Sequence, residues 1–165
     1  MLFTGKFELS IDAKQRLAIP SRIRSLLEGA GAGATLYLLP GPNQALWLWP
    51  RPTFERVAGE VEPTLDPSQE QMAFDRRTFP DAHQLEIDGA GRIRLPQDLI
   101  SAAGLGSRVL LVGMRHHLEI WDPQRWEERH REPAQRKEIA QRARSAKSIP
   151  PGAGPPSERG REARE

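Results

Sequence analysis

The chain has 165 residues, of which 38% are hydrophobic and 28% are charged, and it contains no cysteine. This length fits one domain or two small ones, and the lack of cysteine excludes disulfides, thiol catalysis, iron–sulfur clusters and cysteine-based zinc sites. No apolar run approaches the roughly 18 residues of a membrane span, and the first 20 residues lack the basic-then-apolar order of a signal peptide. We therefore expect a cytoplasmic protein with no membrane partner.

The formal net charge is only +2, but the charge is unevenly distributed. Residues 1–30 hold five basic and three acidic side chains, and residues 123–165 hold eleven and seven. Residues 31–82, by contrast, hold four basic and seven acidic side chains. Basic segments at both ends favour an anionic partner, although a solvated basic tail is the alternative for the C-terminal segment.

The chain contains an internal repeat. Residues 7–20 match residues 83–96 at a constant offset of 76. The aligned positions include Leu9 with Leu85, Asp12 with Asp88, Arg16 with Arg92 and Pro20 with Pro96. Residues 46–49 (Leu-Trp-Leu-Trp) then match residues 118–121 (Leu-Glu-Ile-Trp) at an offset of 72, so the first copy carries four extra residues. Two copies of one unit of about 45 residues are therefore present.

Each unit is predicted to fold in the order β-β-α-β-β. Apolar and polar residues alternate from residue 7 to residue 12, which is the period of a half-buried strand, and a short turn and a return strand complete a β-hairpin. In the first copy the elements are strands at 7–11 and 17–19, a helix after Pro20, and strands at 35–39 and 46–49. In the second copy they are a hairpin around 89–91, a helix that closes at Gly104, and strands at 108–113 and 118–121.

Outside the two units, the sequence predicts helices and a polar tail. A helix at 54–61 and a second at 67–79, with Met72, Ala73 and Phe79 buried, connect the units. The composition from residue 148 is rich in Pro and Gly and predicts disorder. The predicted divisions are a first domain at 5–51, a helical linker at 52–80, a second domain at 81–124, a C-terminal helical region at 125–147 and a disordered tail at 148–165.

The paired units resemble the MraZ family of bacterial transcriptional regulators, which are built from tandem SpoVT–AbrB domains. The resemblance lies in the Asp-x-x-x-Arg motifs at 12–16 and 88–92, each followed by a proline, and in the Trp-containing runs that end at Pro50 and Asp122. It covers roughly residues 1–130. The chain departs from the family pattern at Gln15, where the family usually has a glycine before the arginine.

The resemblance implies an α+β fold in which two AbrB-like units exchange hairpins and form a pseudo-dimeric barrel within one chain. Such an exchange has a physical reason, because a unit of about 45 residues cannot enclose a sufficient core alone. The resemblance further implies ring-shaped homo-oligomers that bind repeated boxes of double-stranded DNA upstream of a cell-division and cell-wall operon, at the nucleoid. A ring multiplies the modest charge of each subunit through avidity.

The candidates for DNA contact are six basic residues: Lys14, Arg16, Arg22, Arg24, Arg92 and Arg94. An arginine beside a carboxylate is oriented to meet phosphate or guanine, whereas a solvated surface is the alternative for the candidates without one. Asp12 and Asp88 are interpreted as turn residues that bond the amides of their own turns. Since four of the candidates fall between residues 14 and 24, around one hairpin and helix start, we expect the first unit to be the main DNA reader.

We expect no catalytic activity, no cofactor, no metal and no small-molecule substrate. The four histidines lack metal-ligand spacing, and no Ser-His-Asp order has a recognisable nucleophile turn. The four tryptophans are expected in the core or at a subunit interface. Two other classes stay open: an AbrB-like antitoxin that binds DNA and wraps a toxin with its tail, and a structural ring protein that binds only other proteins.

Overall fold

The strands and helices follow the predicted order in both halves of the chain. In the computed structural model, which describes residues 1–31, 33–60 and 64–130, the first half contains β1 Lys6–Ser10, β2 Arg16–Ala18, α1 Ser21–Gly29, β3 Thr35–Pro40 and β4 Leu46–Pro50. The connecting helices are α2 Arg51–Ala58 and α3 Gln69–Thr78. The second half contains β5 His83–Glu86, β6 Arg92–Arg94, α4 Gln97–Ala102, β7 Arg108–Gly113, β8 Leu118–Trp121 and α5 Pro123–His130.

The two halves exchange strands. A six-stranded antiparallel sheet has the order β1-β7-β8-β4-β3-β5, so β1 pairs with β7 of the second half and β5 pairs with β3 of the first. Strands β2 and β6 pair with each other in a separate two-stranded ribbon. The α+β class and the exchange of units within one chain are therefore confirmed, while the closure of these strands into a barrel stays a prediction.

The register of the strands follows the internal repeat. Leu9 lies opposite Val109, and Leu85, its counterpart in the repeat, lies opposite Leu36. In the centre of the sheet, β4 and β8 pair symmetrically around Trp47 and Glu119. The duplication in the sequence is thus a duplication in the structure, and each half supplies a strand that completes the other.

The predicted hairpin at residues 7–19 is limited to its turn. The Asp12 amide donates to the Arg16 carbonyl at 3.0 Å, and Ile11 and Leu17 form one isolated bridge. Beyond that bridge, β1 enters the large sheet and β2 enters the ribbon. The separation lets both strands pair with the other half, which buries apolar surface that a lone unit of this size would leave exposed.

The large sheet is covered on both faces. One face packs against the ribbon, α1 and α4 and forms the main core, which includes Leu17, Ile23, Leu36, Leu38, Leu48, Ile93, Leu111 and Leu118. The other face carries the alternate residues of the same strands. It contacts α2, α3 and α5 through aromatic and aliphatic side chains that include Tyr37, Trp47, Trp49, Leu110, Trp121 and Trp126.

Helix α3 is less buried than the sequence predicts. It begins after Ser68, whose Oγ accepts a hydrogen bond from the Gln71 amide at 3.1 Å. Met72 is half-buried, but Ala73 is exposed and Phe79 is 40% exposed, so the predicted burial of these two residues is wrong. The aromatic rings of this region contact one another at their edges, which leaves part of each ring in solvent.

The remaining predictions about domain organisation fall partly outside the described residues. The predicted C-terminal helical region at 125–147 lies there beyond residue 130, and the predicted disordered tail at 148–165 lies there entirely. The domain divisions at 5–51, 52–80 and 81–124 stay predictions. Within the described ranges, no helix is both long and apolar enough to cross a membrane.

Candidate nucleic-acid interface

The ribbon of β2 and β6 presents three arginines on one face. Leu17 and Ile93 at its centre are fully buried and point into the core. Because side chains alternate along a strand, the flanking residues of both strands point the opposite way. The outward face therefore carries the side chains of Arg16, Arg92 and Arg94 together with Ala18.

The three arginines are divided unevenly between the two outward-facing pairs of the ribbon. Arg16 lies directly opposite Arg94, whereas Arg92 lies opposite Ala18. Like charges at directly opposed positions destabilise an antiparallel pair. Asp12 pairs with Arg16 and offsets part of this repulsion, whereas Arg94 is exposed and has no ion-pair partner among the described residues. An anion bound beside Arg94 would offset the rest.

Each turn before the ribbon contains an aspartate that binds its own turn and the arginine after it. Asp12 Oδ1 accepts the amides of Lys14 and Arg16 at 2.8 and 2.9 Å. Asp12 Oδ2 accepts Arg16 Nε at 2.8 Å and lies 2.7 Å from Nη2 of the same guanidinium. The Arg16 guanidinium and amide together lower the pKa of Asp12 to about 2. The carboxylate therefore fixes both the turn and the plane of the guanidinium.

The second turn repeats this arrangement. Asp88 Oδ1 accepts the amides of Ala90 and Arg92, each at 2.9 Å, and Oδ2 accepts Nε and Nη2 of Arg92 at 3.1 and 3.0 Å. The amide and the guanidinium of Arg92 lower the pKa of Asp88. In both repeats, therefore, one carboxylate oxygen binds the amides of the turn and the other binds the guanidinium of a ribbon arginine.

The backbone of the two turns is also equivalent, despite the difference at Gln15. Gln15 has φ 59°, and Gly91, its counterpart, has φ 76°. Both residues therefore adopt the left-handed conformation, which glycine adopts without a steric cost. The departure from the family pattern thus changes the residue and leaves the shape of the turn unchanged.

The exchange of strands changes which candidate residues lie together. Gln15 Nε2 donates to Gln97 Oε1 at 3.0 Å, so the first turn lies against the start of α4. Arg24 of α1 donates from Nε to the Ile19 carbonyl at 3.2 Å and packs over Gly91 of the second turn. The predicted grouping of residues 14–24 around one hairpin and helix start is therefore corrected, because each turn contacts the helix of the other half.

The two remaining candidates, Lys14 and Arg22, are exposed. Lys14 lies at the tip of the first turn, and Arg22 lies in the first turn of α1. The part of the chain that the structure describes contains no group of three or more His, Asp or Glu side chains that could hold a metal ion.

Sequence reasoning did not single out Glu119, which is buried on the other face of the sheet at 7% exposure. Its Oε2 accepts Trp121 Nε1 at 2.7 Å, and its Oε1 lies 3.3 Å from His117 Nε2. Burial raises the pKa of Glu119, but the hydrogen bonds from His117 and Trp121 outweigh it, and the net shift is downward. Along β8, Glu119 alternates with Leu118 and Ile120 and shares a face with Trp121. This alternation is the one sequence signal that could have identified Glu119 as buried on the aromatic face.

The fold and the ribbon define the class of this protein, which is an internally duplicated α+β chain whose halves exchange strands. The comparisons with known proteins agree. A family model described as "MraZ protein, putative antitoxin-like" matches residues 2–76 and 78–148. The chain belongs to the MraZ family.

Curated relatives carry the same family name. A protein from Alkalilimnicola ehrlichii named Transcriptional regulator MraZ is 36% identical over 129 residues, which cover 77% of this chain and 85% of the relative. Proteins of the same name from Thermomicrobium roseum and Shewanella denitrificans are 36% and 32% identical, and the matches cover 76% and 77% of this chain and 84% of each relative. These relatives are named as regulators and not as enzymes, and the expected lack of catalysis in this chain stays a prediction.

Proposed function

We propose that this chain is a sequence-specific DNA-binding transcriptional regulator whose β2–β6 ribbon contacts double-stranded DNA. The observation that carries the proposal is the opposed pair Arg16 and Arg94, with Arg92 beside it, on the outward face of the ribbon. The major groove of B-DNA admits a two-stranded β-ribbon, and arginine paired with guanine is the commonest specific contact there. The names of the relatives support a regulatory role.

The three ribbon arginines are suited to different contacts. Arg94 is exposed, so its whole guanidinium is available to a base edge or a phosphate. Arg16 and Arg92 use Nε and Nη2 on their aspartates, which leaves Nη1 for an acceptor on DNA. Because these two groups are already oriented, less side-chain freedom is lost on binding.

The remaining candidates have supporting roles in this proposal. Lys14 and Arg22 are exposed and contact phosphates, which contribute affinity without reading sequence. Arg24 holds the second turn through its contacts with Gly91 and Ile19. The ribbon would then read the bases, while the turns and helix starts fix its position on the DNA backbone.

We further infer that several copies form a closed ring on repeated boxes upstream of the operon for cell division and the cell wall. One ribbon supplies few cations, and the salt-dependent affinity for DNA grows with the number of phosphates neutralised. Several ribbons on several boxes would multiply that affinity through effective concentration. The protein would act in the cytoplasm at the nucleoid without a cofactor.

The test is a titration of labelled operator DNA and of a scrambled fragment, each at two salt concentrations. Arg94→Ala should weaken operator binding about 5- to 150-fold, the range for losing one good arginine–guanine pair. Arg56→Ala is the matched control, since Arg56 is an exposed arginine of α2 that pairs with Glu60, just beyond the helix. Equal effects of the two variants would refute the ribbon as the interface.

The same experiment separates the two alternatives. A wild-type protein that binds neither operator nor scrambled DNA would favour the structural ring protein, and equal binding to both would refute sequence specificity. A small protein partner that copurifies with the full chain, and that changes DNA binding when it is removed, would favour the antitoxin. The regulator proposal expects operator preference in the purified chain by itself.

A further inference from the structure

An apolar groove lies on the sheet face opposite the ribbon. It is bounded by β3, β4, α2 and α3 and has a volume of about 330 Å³. Its walls include Trp47, Trp49, Phe54, Phe74 and Phe79. The ring of Phe54 stacks on Tyr37 of β3 with a centroid separation of 4.5 Å, so α2 forms a fixed side of the groove.

The rim of the groove keeps large apolar side chains in solvent. Phe74 is 56% exposed, and Phe79 and Val57 are each 40% exposed. Phe74 and Phe79 contact each other edge to face at 6.5 Å. Adjacent exposed rings around a groove are characteristic of an interaction surface and differ from the single scattered apolar residues of an ordinary protein surface.

A second exposed apolar cluster lies near the other end of the strand order. Leu2 is 58% exposed and Met114 is 40% exposed. The segment before β1 runs antiparallel to the β7–β8 turn, since the Phe3 amide donates to the Arg115 carbonyl at 2.8 Å. Leu2 and Met114 are the chain neighbours of Phe3 and Arg115, so both lie beside this bridge. We call these two residues the edge cluster.

We propose that the groove of one copy receives the edge cluster of the next copy in the ring, a step that rests on the ring assembly in the proposed function. The groove lies over β3 and β4, whereas the edge cluster lies just before β1 and just after β7, at the opposite part of the sheet order. Two different surfaces on one chain form a heterologous contact, which closes into a ring when the rotation between copies allows it.

Charge and chemistry of the two surfaces are complementary. The described residues of the α2–α3 region, 51–60 and 64–82, hold six acidic and four basic side chains. The segments that carry the edge cluster, residues 1–6 and 113–117, hold Lys6 and Arg115 and no acidic side chain. A methionine thioether also packs favourably against aromatic rings, which form most of the groove walls.

This contact would leave the ribbon accessible. The groove lies on the aromatic face of the sheet, while the ribbon covers the face that forms the main core. Subunits joined through groove and edge cluster would therefore not need to bury Arg16, Arg92 or Arg94. The same assembly would cover the exposed apolar surface and leave the arginines of several ribbons free to bind DNA.

The experiment measures the mass of the full chain by size-exclusion chromatography with light scattering. Phe74→Glu and Met114→Glu should each abolish the high-mass species. Ala73→Glu is the matched control, because Ala73 is exposed on the same helix but does not line the groove, and it should leave the mass unchanged. An equal mixture of the Phe74→Glu and Met114→Glu variants should form a two-chain complex, since the pair retains one intact groove and one intact edge cluster.

The possible outcomes separate this contact from the ring itself. A monomeric wild-type chain would refute ring assembly and with it that part of the proposed function. A wild-type ring that both variants retain would refute only the groove-and-edge contact. A variant pair that disassembles but forms no mixed complex would also refute it. Phe74→Ser and Met114→Ser repeat the test if a glutamate variant fails to fold, as judged by thermal unfolding.

Discussion

Gly91 provides the most direct test of the turn that holds Arg92. With φ 76°, Gly91 is in the left-handed region, which costs an L-residue about 1–2 kcal/mol. A Cβ there would also lie 2.8 Å from Arg24 Nε and Cζ. Arg24 would have to move, and its hydrogen bond to the Ile19 carbonyl is worth about 0.5–1.5 kcal/mol.

These contributions give the expected size of the effect. Replacing glycine by alanine also stabilises by about 0.4–1 kcal/mol because the unfolded chain loses freedom. Gly91→Ala should therefore lower the free energy of unfolding by about 1–2 kcal/mol, net of that gain. Gly89→Ala is the control, because Gly89 has no positive φ and an added Cβ meets no atom within 4 Å. It should leave stability unchanged or slightly raised.

The assay is urea denaturation of both variants at one protein concentration, since assembly makes stability depend on concentration. A lower midpoint with an unchanged slope identifies a loss of stability. If Gly91→Ala is as stable as Gly89→Ala, a side chain at residue 91 costs nothing, and the reasoning from its positive φ and from the Arg24 contact is refuted.

Four further predictions concern the turn aspartates, the interface and the tail. Stability should fall as the pH drops from about 4 towards 2, because the pKa of Asp12 is about 2 in the folded chain, against an ordinary value of 3.8, and the pKa of Asp88 is also lowered. The double variant Asp12→Asn with Asp88→Asn should flatten this part of an acid titration followed by circular dichroism. Arg94→Lys should keep affinity for random DNA and lose operator preference about 5- to 150-fold in binding titrations, and Lys14→Ala should instead weaken both and reduce the salt slope by about 1. Deleting residues 148–165 should leave melting temperature and oligomer mass unchanged, and a lower melting temperature would contradict the predicted disorder.

The repeat made the order of the strands along the chain predictable, but not their partners or their register. Leu9 and Leu85 occupy the same place in the two copies, and the structure pairs both with equivalent strands. Alternation of apolar residues identifies a strand and its buried face. It carries no information on which distant strand will pair with it, so β1 was assigned to β2 although it pairs with β7.

The arginines of the candidate site were predictable from the sequence, but their contacts between the two halves were not. The Asp-x-x-x-Arg motifs identified Arg16 and Arg92, and charge identified Arg94, which the structure shows exposed on the ribbon. The contact between Arg24 and Gly91 crosses the exchange between halves, so no local pattern could reveal it. The Gln15 carbonyl accepts the Leu95 amide at 2.8 Å, which is a second contact between the halves that no local pattern could reveal.

The exchange also bears on which half of the chain would read DNA. The ribbon takes one strand from each half, and its opposed pair joins Arg16 of the first to Arg94 of the second. The equivalent pair under the repeat is Ala18 with Arg92, so the duplication is symmetric in backbone and asymmetric in charge. In a dimer of identical units, residues 16 and 92 would have to be the same, and so would residues 18 and 94, so the ribbon could carry two or four arginines here. Because the two units are fused in one chain, the ribbon carries three. If the ribbon binds DNA as proposed, neither half is the reader by itself, and an orientation on the DNA follows from the position of Ala18.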